Sequence, residues 1–162
     1  MTQVARSTPR RLDAFTLASE LGNERLALAR VAGTVQGLGL SQARLERLKT
    51  AVAEATMNAI EHGNRNRPEV PVEVEVTQHG PNIVVAIADQ GGGREAAAEP
   101  AETPDIVRKL AGEQSPRGWG LFLIRHMVDA MDVTTEGTRH TVRLTVATTI
   151  PADKGATRED DL

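Results

Sequence analysis

The sequence contains no cysteine and very few aromatic residues, and each absence excludes a class of site. Without cysteine, the chain can form no disulfide, no thiolate metal site and no cysteine nucleophile. Aromatic residues make up only 2% of the chain and tyrosine is absent, so a surface on which nucleic-acid bases stack is not expected. Any chemistry must use other side chains or the backbone.

The charge balance gives no sign of a nucleic-acid partner, and no segment is apolar enough for a membrane. Lysine and arginine number 19 against 22 aspartates and glutamates, a formal charge of −3 that offers no basic surface to a phosphate backbone. No apolar run approaches the roughly 18 residues of a membrane span. The first residues also lack the apolar segment of a signal peptide. We therefore expect a cytoplasmic protein without a direct nucleic-acid or membrane partner.

Hydrophobic periodicity predicts a single domain that contains both helices and strands. With 162 residues, the chain is long enough for one sizeable core. We expect a flexible N-terminus over residues 1–10, one domain over 11–150 and a flexible charged tail over 151–162. Within the domain the pattern predicts a strand over 11–19, a helix capped by Asn23, a helix from Ser41 to Gly63, strands over 70–78 and 82–89, a helix over 121–131 and a closing hairpin over 133–150.

The helix that ends at Gly63 carries an unusual polar stripe. Glu54, Asn58 and His62 recur every fourth residue beside its apolar face. A carboxylate in this position cannot be buried without a partner. An amide oxygen near a carboxylate suits a hydrated Mg²⁺, which takes few protein ligands. On the helix alone, a solvated polar face is an equally good interpretation.

Two glycine-rich segments follow in the sequence. Asp89 ends an apolar strand, and Gly91 and Gly93 after it allow a ligand to approach the backbone closely, although strand-ending turns of this kind are common. The same glycines fit a G-x-G-x-x-A dinucleotide pattern, but a proline-containing loop follows where that pattern needs a helix. We therefore disfavour a dinucleotide site.

The second glycine segment has the features of a phosphate site. Gly118 and Gly120 immediately precede the predicted helix over 121–131, so free backbone N–H groups and Arg117 can meet an anion. An ordinary loop-to-helix turn is the alternative. The chain has no G-x-x-x-x-G-K-[ST] motif, which excludes a P-loop.

Taken in order, these motifs resemble those of the histidine-kinase-like ATPases, and more closely those of the anti-sigma-factor serine kinases. The resemblance covers about residues 12–149. The first motif, E-x-x-x-N-A-x-x-H-G, is matched by Glu54, Asn58, Ala59, His62 and Gly63, and the second, D-x-G-x-G, by Asp89, Gly91 and Gly93. The third motif, R-G-x-G-L-x-L-I, is matched by Arg117, Gly118, Gly120, Leu121, Leu123 and Ile124. The last, T-V-x-L, is matched by Thr141, Val142 and Leu144.

The resemblance implies a fold and a cofactor set. The implied fold is α+β, a two-layer α/β sandwich of the Bergerat type with a mixed, mostly antiparallel sheet, helices on one face and a mobile ATP lid over residues 94–117. Asn58 is implied to hold Mg²⁺, Asp89 to accept a hydrogen bond from the adenine amino group, and Glu54 to act as general base. The other implied nucleotide-binding residues are His62, Gly91, Gly93, Arg117, Gly118, Trp119, Gly120, Leu121 and Thr141. Thr141 is expected to support the base beside Asp89, with Thr138 as the alternative threonine.

The resemblance also implies partners. The anti-sigma-factor kinases bind a sigma factor, phosphorylate a serine or threonine of an anti-anti-sigma protein of the STAS type, and commonly form homodimers. No histidine precedes His62, so phosphorylation of a histidine within this chain is disfavoured. The alternative hypothesis is a nucleotide-gated regulatory binding module with little or no kinase activity.

Overall fold

The computed structural model describes residues 8–91 and 116–148, which form one sheet and a layer of helices. The strands are β1 (Arg10–Leu17), β2 (Val72–His79), β3 (Asn82–Asp89), β4 (Ala130–Glu136) and β5 (Arg139–Ala147). The helices are α1 (Glu24–Val35), α2 (Gln42–Asn58) and α3 (Pro116–Met127), with a π-helical turn (Ala59–Gly63) directly after α2. The expected α+β class is confirmed.

The five described strands form a single sheet in the order β1-β2-β3-β5-β4. Every pairing between neighbours is antiparallel. The mostly antiparallel sheet expected from the sequence is therefore confirmed, without a parallel pair among these strands. A dinucleotide site of the βαβ type needs such a pair, so the described strands do not provide one.

Strict alternation in the strands gives the sheet one apolar face. Val72, Val74 and Val76 of β2 are buried, whereas Glu73 and Glu75 between them are half-exposed. The helices pack on the apolar face, where α2 contacts both neighbouring helices as well as β3 and β5. Each buried valine or leucine contributes about 1.5–3 kcal/mol relative to an exposed one. This core therefore fixes which face every strand residue occupies, including the residues of the site.

The long second helix occupies the predicted region but changes type near its end. The Ser41 side chain caps it by accepting a hydrogen bond from the Arg44 N–H at 3.1 Å, as its sequence position predicts. After Asn58 the chain widens into the π-helical turn, in which the Asn64 N–H donates to Ala59 O at 2.7 Å. Such turns often mark functional sites. His62 lies in this turn, so an α-helical stripe does not continue unchanged to it.

The predicted start of α1 is right, but its predicted side-chain cap and the predicted bounds of the last helix are wrong. Asn23 precedes α1 but does not cap it, because its side chain donates instead to Ala18 O at 2.8 Å. The last helix begins at Pro116 and ends at Met127, so Gly118 and Gly120 lie within it rather than before it. Proline is favoured in the first turn of a helix. The helix ends early because the Asp129 N–H donates to Thr145 O at 2.9 Å, which brings the chain into the sheet.

Some expectations fall on residues outside those described. These are most of the flexible N-terminus, nearly all of the lid over 94–117, and the charged tail over 151–162. Within the described residues, no helix has the length and apolar character needed to cross a membrane.

The first strand is attached to α1 by an ion pair. A register shift between Arg11 and Asp13 directs Asp13 toward the helices. Arg30 donates to both oxygens of Asp13, at 2.7 and 2.9 Å, and its guanidinium lies 4.4 Å from the centre of the Phe15 ring. The hydrogen bond from Arg30 holds the pKa of Asp13 below its ordinary value, against the opposing effect of burial.

We predict that this pair stabilises the fold only while Asp13 is ionised. A carboxylate whose pKa is lower in the folded state stabilises the fold at pH values above its unfolded-state pKa of about 4. This stabilisation is lost as the pH falls through the folded-state pKa. Asp13→Asn should therefore lower the urea midpoint at pH 7 and lower it less at pH 3, and the loss at pH 7 should be modest because Arg30 is largely solvated. An equal loss at both pH values would contradict this.

Candidate functional site

The polar stripe lies at the edge of the core. Glu54 and Asn58 are both half-buried and lie one turn apart on α2, beside the buried Ala55 and Ala59. His62 is also half-buried, and its Nε2 lies 3.6 Å from Glu61 Oε1. The stripe is thus neither a solvated face nor part of the core interior. Polar side chains in this position can face a ligand while the neighbouring alanines pack inward.

The first two motifs meet where Gly63 contacts Asp89. A Cβ atom added to Gly63 would lie 2.5 Å from each carboxylate oxygen of Asp89, and closer still to its Cγ. Real side chains do not approach so closely, so only glycine allows this contact. Asp89 itself is 4% exposed. The helix of the first motif therefore ends against a buried carboxylate at the end of β3.

Two groups of the described residues bind the Asp89 carboxylate. The Gly91 N–H donates to Oδ1 at 2.8 Å, and His140 Nδ1 lies 3.3 Å from Oδ2. His140 is directly opposite Asp89 in the pairing of β3 with β5. An ionised carboxylate can only accept, so Nδ1 carries the shared hydrogen. The other ring nitrogen, Nε2, is buried and has no hydrogen-bond partner among residues 8–91 and 116–148.

The structure does not bring Thr141 beside Asp89. Thr141 pairs with Ala88, the residue before Asp89 in β3. It lines a depression on the face of the sheet opposite the helices. Thr138 does not reach Asp89 either, because its hydroxyl donates to Gln90 Oε1 at 3.2 Å. His140 occupies the place expected for the threonine. Strand alternation places His140 on the face of the buried Val142 and Leu144, and this signal could have identified it from the sequence.

Sequence reasoning also missed Asn64, which joins three segments around the site. Its buried Nδ2 lies 3.0 Å from Ser19 Oγ, 3.1 Å from Val70 O and 3.2 Å from Pro71 O. Its Oδ1 accepts from the Gln90 N–H at 2.8 Å. The amide thus fixes the end of the π-helical turn to the start of β2 and to the residue after Asp89. No local pattern marks Asn64, because all of its partners are distant or outside the helix.

The third motif is placed only by its backbone. Arg117, Gly118, Trp119, Gly120 and Leu121 lie in the first turns of α3, which packs along α2. The first four N–H groups of a helix have no partner within it. Gly118 lies in this first turn, and Gly120 lies beyond it. The side chains of residues 116–121 and all of Gly93 are outside the described part of the chain, so their roles stay predictions.

The described residues do not form a metal site by themselves. None of their His, Asp and Glu side chains cluster in threes that could hold a cation. Mg²⁺ needs no such cluster when phosphates and waters supply most of its ligands. The amide oxygen of Asn58, half-buried on α2, fits that limited requirement.

The chain matches a known domain and known proteins. The family model of the histidine kinase-like ATPase domain matches residues 17–146. The anti-sigma F factor of Clostridium beijerinckii is 33% identical over 123 residues, covering 73% of this chain and 80% of the relative. The anti-sigma F factor of Oceanobacillus iheyensis is 33% identical over 120 residues, covering 74% and 79%.

Two solved structures show the same fold. The RsbU and RsbW domains of Rv1364c from Mycobacterium tuberculosis match with a TM-score of 0.59 and 17% identity, over 87% of this chain and 32% of that one. The SiaB–SiaC complex from Pseudomonas aeruginosa matches with a TM-score of 0.59 and 16% identity, over 85% of this chain and 90% of that one. The expected sandwich fold is therefore confirmed.

We predict that Gly63→Ala disrupts the contact between helix and carboxylate. The added methyl group forces either Asp89 or the π-helical turn to move, and overpacking of this kind costs about 1–3 kcal/mol of unfolding free energy. Urea denaturation measures the loss. Gly33→Ala is the matched control, because Gly33 lies on α1 with nothing within 4 Å of the added atom, and it should raise stability by up to about 1 kcal/mol. Equal effects of the two substitutions would contradict the prediction.

Proposed function

The chain belongs to the histidine kinase-like ATPase domain family, and we propose that it is an ATP-dependent anti-sigma factor. In this proposal it binds a sigma factor and phosphorylates a serine or threonine of an anti-anti-sigma protein of the STAS type. The observation that carries the proposal is the meeting of two motifs, in which the helix of Glu54 and Asn58 ends against the buried Asp89. The names of the curated relatives support the anti-sigma role.

Asp89 suits the selection of adenine. Within the part of the chain that the structure describes, each of its oxygens has one donor, and a carboxylate oxygen can accept a second hydrogen bond. The adenine amino group would supply that donor, whereas the carbonyl of guanine would face a buried negative charge. Losing such a partner leaves the carboxylate unsatisfied, which costs more than the hydrogen bond itself contributes. Gly91 adds no side chain that would obstruct a base at this edge.

Residues of α2 would act on the phosphates and the acceptor. Asn58 would hold Mg²⁺, which neutralises charge on the triphosphate when it is bound. By resemblance, His62, Gly93, Arg117, Gly118, Trp119, Gly120 and Leu121 would complete the nucleotide site. Most of phosphoryl transfer is positioning and charge stabilisation, so few catalytic side chains are needed.

Glu54 would be the general base. Its carboxylate would take the proton from the acceptor hydroxyl as the hydroxyl oxygen bonds to the γ-phosphorus. The bond from that phosphorus to the β,γ-bridging oxygen would break, and ADP would leave with the electron pair. A half-buried carboxylate on a rigid helix suits this role, because it is accessible to a partner protein yet fixed in position.

The second candidate function is a nucleotide-gated binding module. The expected lid contains only Arg94, Arg108 and Lys109 as cations before Arg117, which is few for binding a triphosphate. Such a module would keep nucleotide binding and partner control without useful phosphoryl transfer.

We also propose that the chain forms a homodimer through the face of the sheet opposite the helices. This face has a depression of about 470 Å³ whose centre is formed by small residues, including Ala86, Ala88 and Thr141. Around it, Glu73 pairs with Arg139 at 2.8 Å and Glu75 with Arg11 at 2.9 Å. Charges of both signs border a small-residue centre, so a second copy related by a two-fold axis can present arginines to glutamates.

We predict that Glu54→Gln separates catalysis from binding. Transfer of labelled phosphate from ATP to the cognate anti-anti-sigma protein should fall at least about 100-fold, since a general base contributes that much or more. ATP affinity by calorimetry and sigma-factor binding should stay near wild type, because the substitution keeps the shape of the side chain and one acceptor oxygen.

Glu46→Gln is the matched control, an exposed carboxylate on the same helix, and should leave all three measurements unchanged. ATP binding by the wild type without transfer to its partner would favour the binding module. Unchanged transfer in Glu54→Gln would exclude Glu54 as the base, and a wild type that binds no ATP would overturn the whole proposal.

For the dimer, Ala86→Arg should convert the protein to a monomer in sedimentation experiments, because it places a long charged side chain at the centre of the proposed interface. Ala29→Arg, at an exposed position on α1, should leave the dimer intact. A monomeric wild type would contradict the interface, as would a dimeric Ala86→Arg variant.

A further inference from the structure

We propose that His140 is a positioning residue that holds Asp89 in the orientation in which its carboxylate selects an adenine base. The inference rests on the proposed nucleotide binding and deepens it, because it assigns base selectivity to a pair of residues rather than to Asp89 alone. It starts from the hydrogen bond between His140 Nδ1 and Asp89 Oδ2, which joins two residues paired across β3 and β5.

The surroundings of Asp89 leave its carboxylate few orientations. Gly63 packs directly against the carboxylate, and the Gly91 N–H donates to Oδ1 at 2.8 Å. Neither of these two contacts by itself fixes the position of the second carboxylate oxygen, Oδ2. Among the described residues, His140 provides the only side chain that hydrogen-bonds Asp89. It therefore fixes Oδ2, and with it the direction of the lone pairs that remain for a ligand.

The nearby charged side chains do not take over this role. Glu73 and Arg139 pair with each other on the opposite face of the sheet. On the same face, His62 faces Glu61 at 3.6 Å. Gln90 and Thr138 bond each other by their side chains at 3.2 Å. No hydrogen bond connects any of these side chains to Asp89 among the described residues, so its orientation depends on His140.

The imidazole is also an unusual choice for a residue that only fills space. Its Nε2 is buried without a partner in the described part of the chain, which is a cost that an apolar side chain of similar size would not carry. Buried polar atoms without partners are uncommon in proteins and call for an explanation. The explanation here is that the other nitrogen, Nδ1, is needed as a donor to a buried carboxylate.

The chemistry of amide side chains allows this role to be separated from packing. Asparagine carries its NH₂ group on Cγ, as histidine carries Nδ1, so His140→Asn keeps a donor at nearly the same place. Glutamine carries its amide one bond further out, and leucine has no donor. If His140 positions Asp89, the preference for an adenine base that is lost in His140→Leu should be kept in His140→Asn and kept less well in His140→Gln.

The test compares ATP with inosine triphosphate, which has a carbonyl and an N–H where adenine has its amino group and a ring lone pair. The sugar and triphosphate are identical, so the ratio of the two affinities cancels effects on the phosphate and metal contacts. Calorimetry should show that His140→Leu lowers the preference for ATP by about tenfold, the scale of a hydrogen bond to a charged group. His140→Asn should keep the wild-type ratio within about threefold.

His79→Leu is the matched control, because His79 is exposed at the far end of the hairpin from Asp89, and it should leave the ratio unchanged. If His140→Leu weakens both nucleotides equally, or weakens neither, His140 is structural and the inference is overturned while the proposed function stands. If the wild type binds neither nucleotide, the proposed function fails and the inference with it.

Nitrogen NMR of the ligand-free protein tests the contact without any nucleotide. The His140 ring should carry its hydrogen on Nδ1, and Asp89→Ala should shift the Nδ1 resonance, whereas Asp132→Ala, on an exposed part of β4, should not. An Nδ1 resonance that Asp89→Ala leaves in place would overturn the inference.

Discussion

The contact between Gly63 and the Asp89 carboxylate is the constraint on which the rest of the site depends. Because a glycine allows the end of a helix to press on a buried carboxylate, the first two motifs of the sequence share one small volume. Glu54 and Asn58 are then held a fixed number of turns from the end of β3. The π-helical turn contributes to this arrangement, since its wider ring sets how Gly63 meets the strand. Helix, turn and strand therefore form one edge of the candidate site.

The apolar face of the sheet supplies the rigidity that this edge requires. The valines and isoleucines that pack beneath the helices leave no freedom in register, and register decides which residues become neighbours of Asp89. His140 is placed by the same alternation that buries Val142 and Leu144. Thr141, only one residue along, belongs to the opposite face. The adjacent residues His140 and Thr141 thus lie on different faces of the sheet. His140 lies on the side of the candidate ligand, and Thr141 lies on the side of the proposed partner copy.

Most of the architecture could be predicted from the sequence, because it depends on periodicity. The alternation in β2, the apolar run of β3 and the Ser41 cap of α2 are local patterns, and the structure confirms each of them. The errors occurred where distant groups compete with local ones. Asn23 bonds Ala18 instead of capping its helix, and Asp129 ends α3 by joining the sheet. Likewise, the structure brings Asp89 to the end of the first-motif helix, but the residue opposite Asp89 depends on cross-strand register and not on motif spacing.

Asn64 gives this site a mechanical property. One buried amide connects the end of the π-helical turn, the loop that contains Ser19, the first residues of β2 and the backbone after Asp89. The position of the backbone after Asp89 is therefore coupled, through this one amide, to the start of β2 and to the loop that contains Ser19. This end of the candidate site therefore depends on one side chain that holds together segments far apart in the sequence.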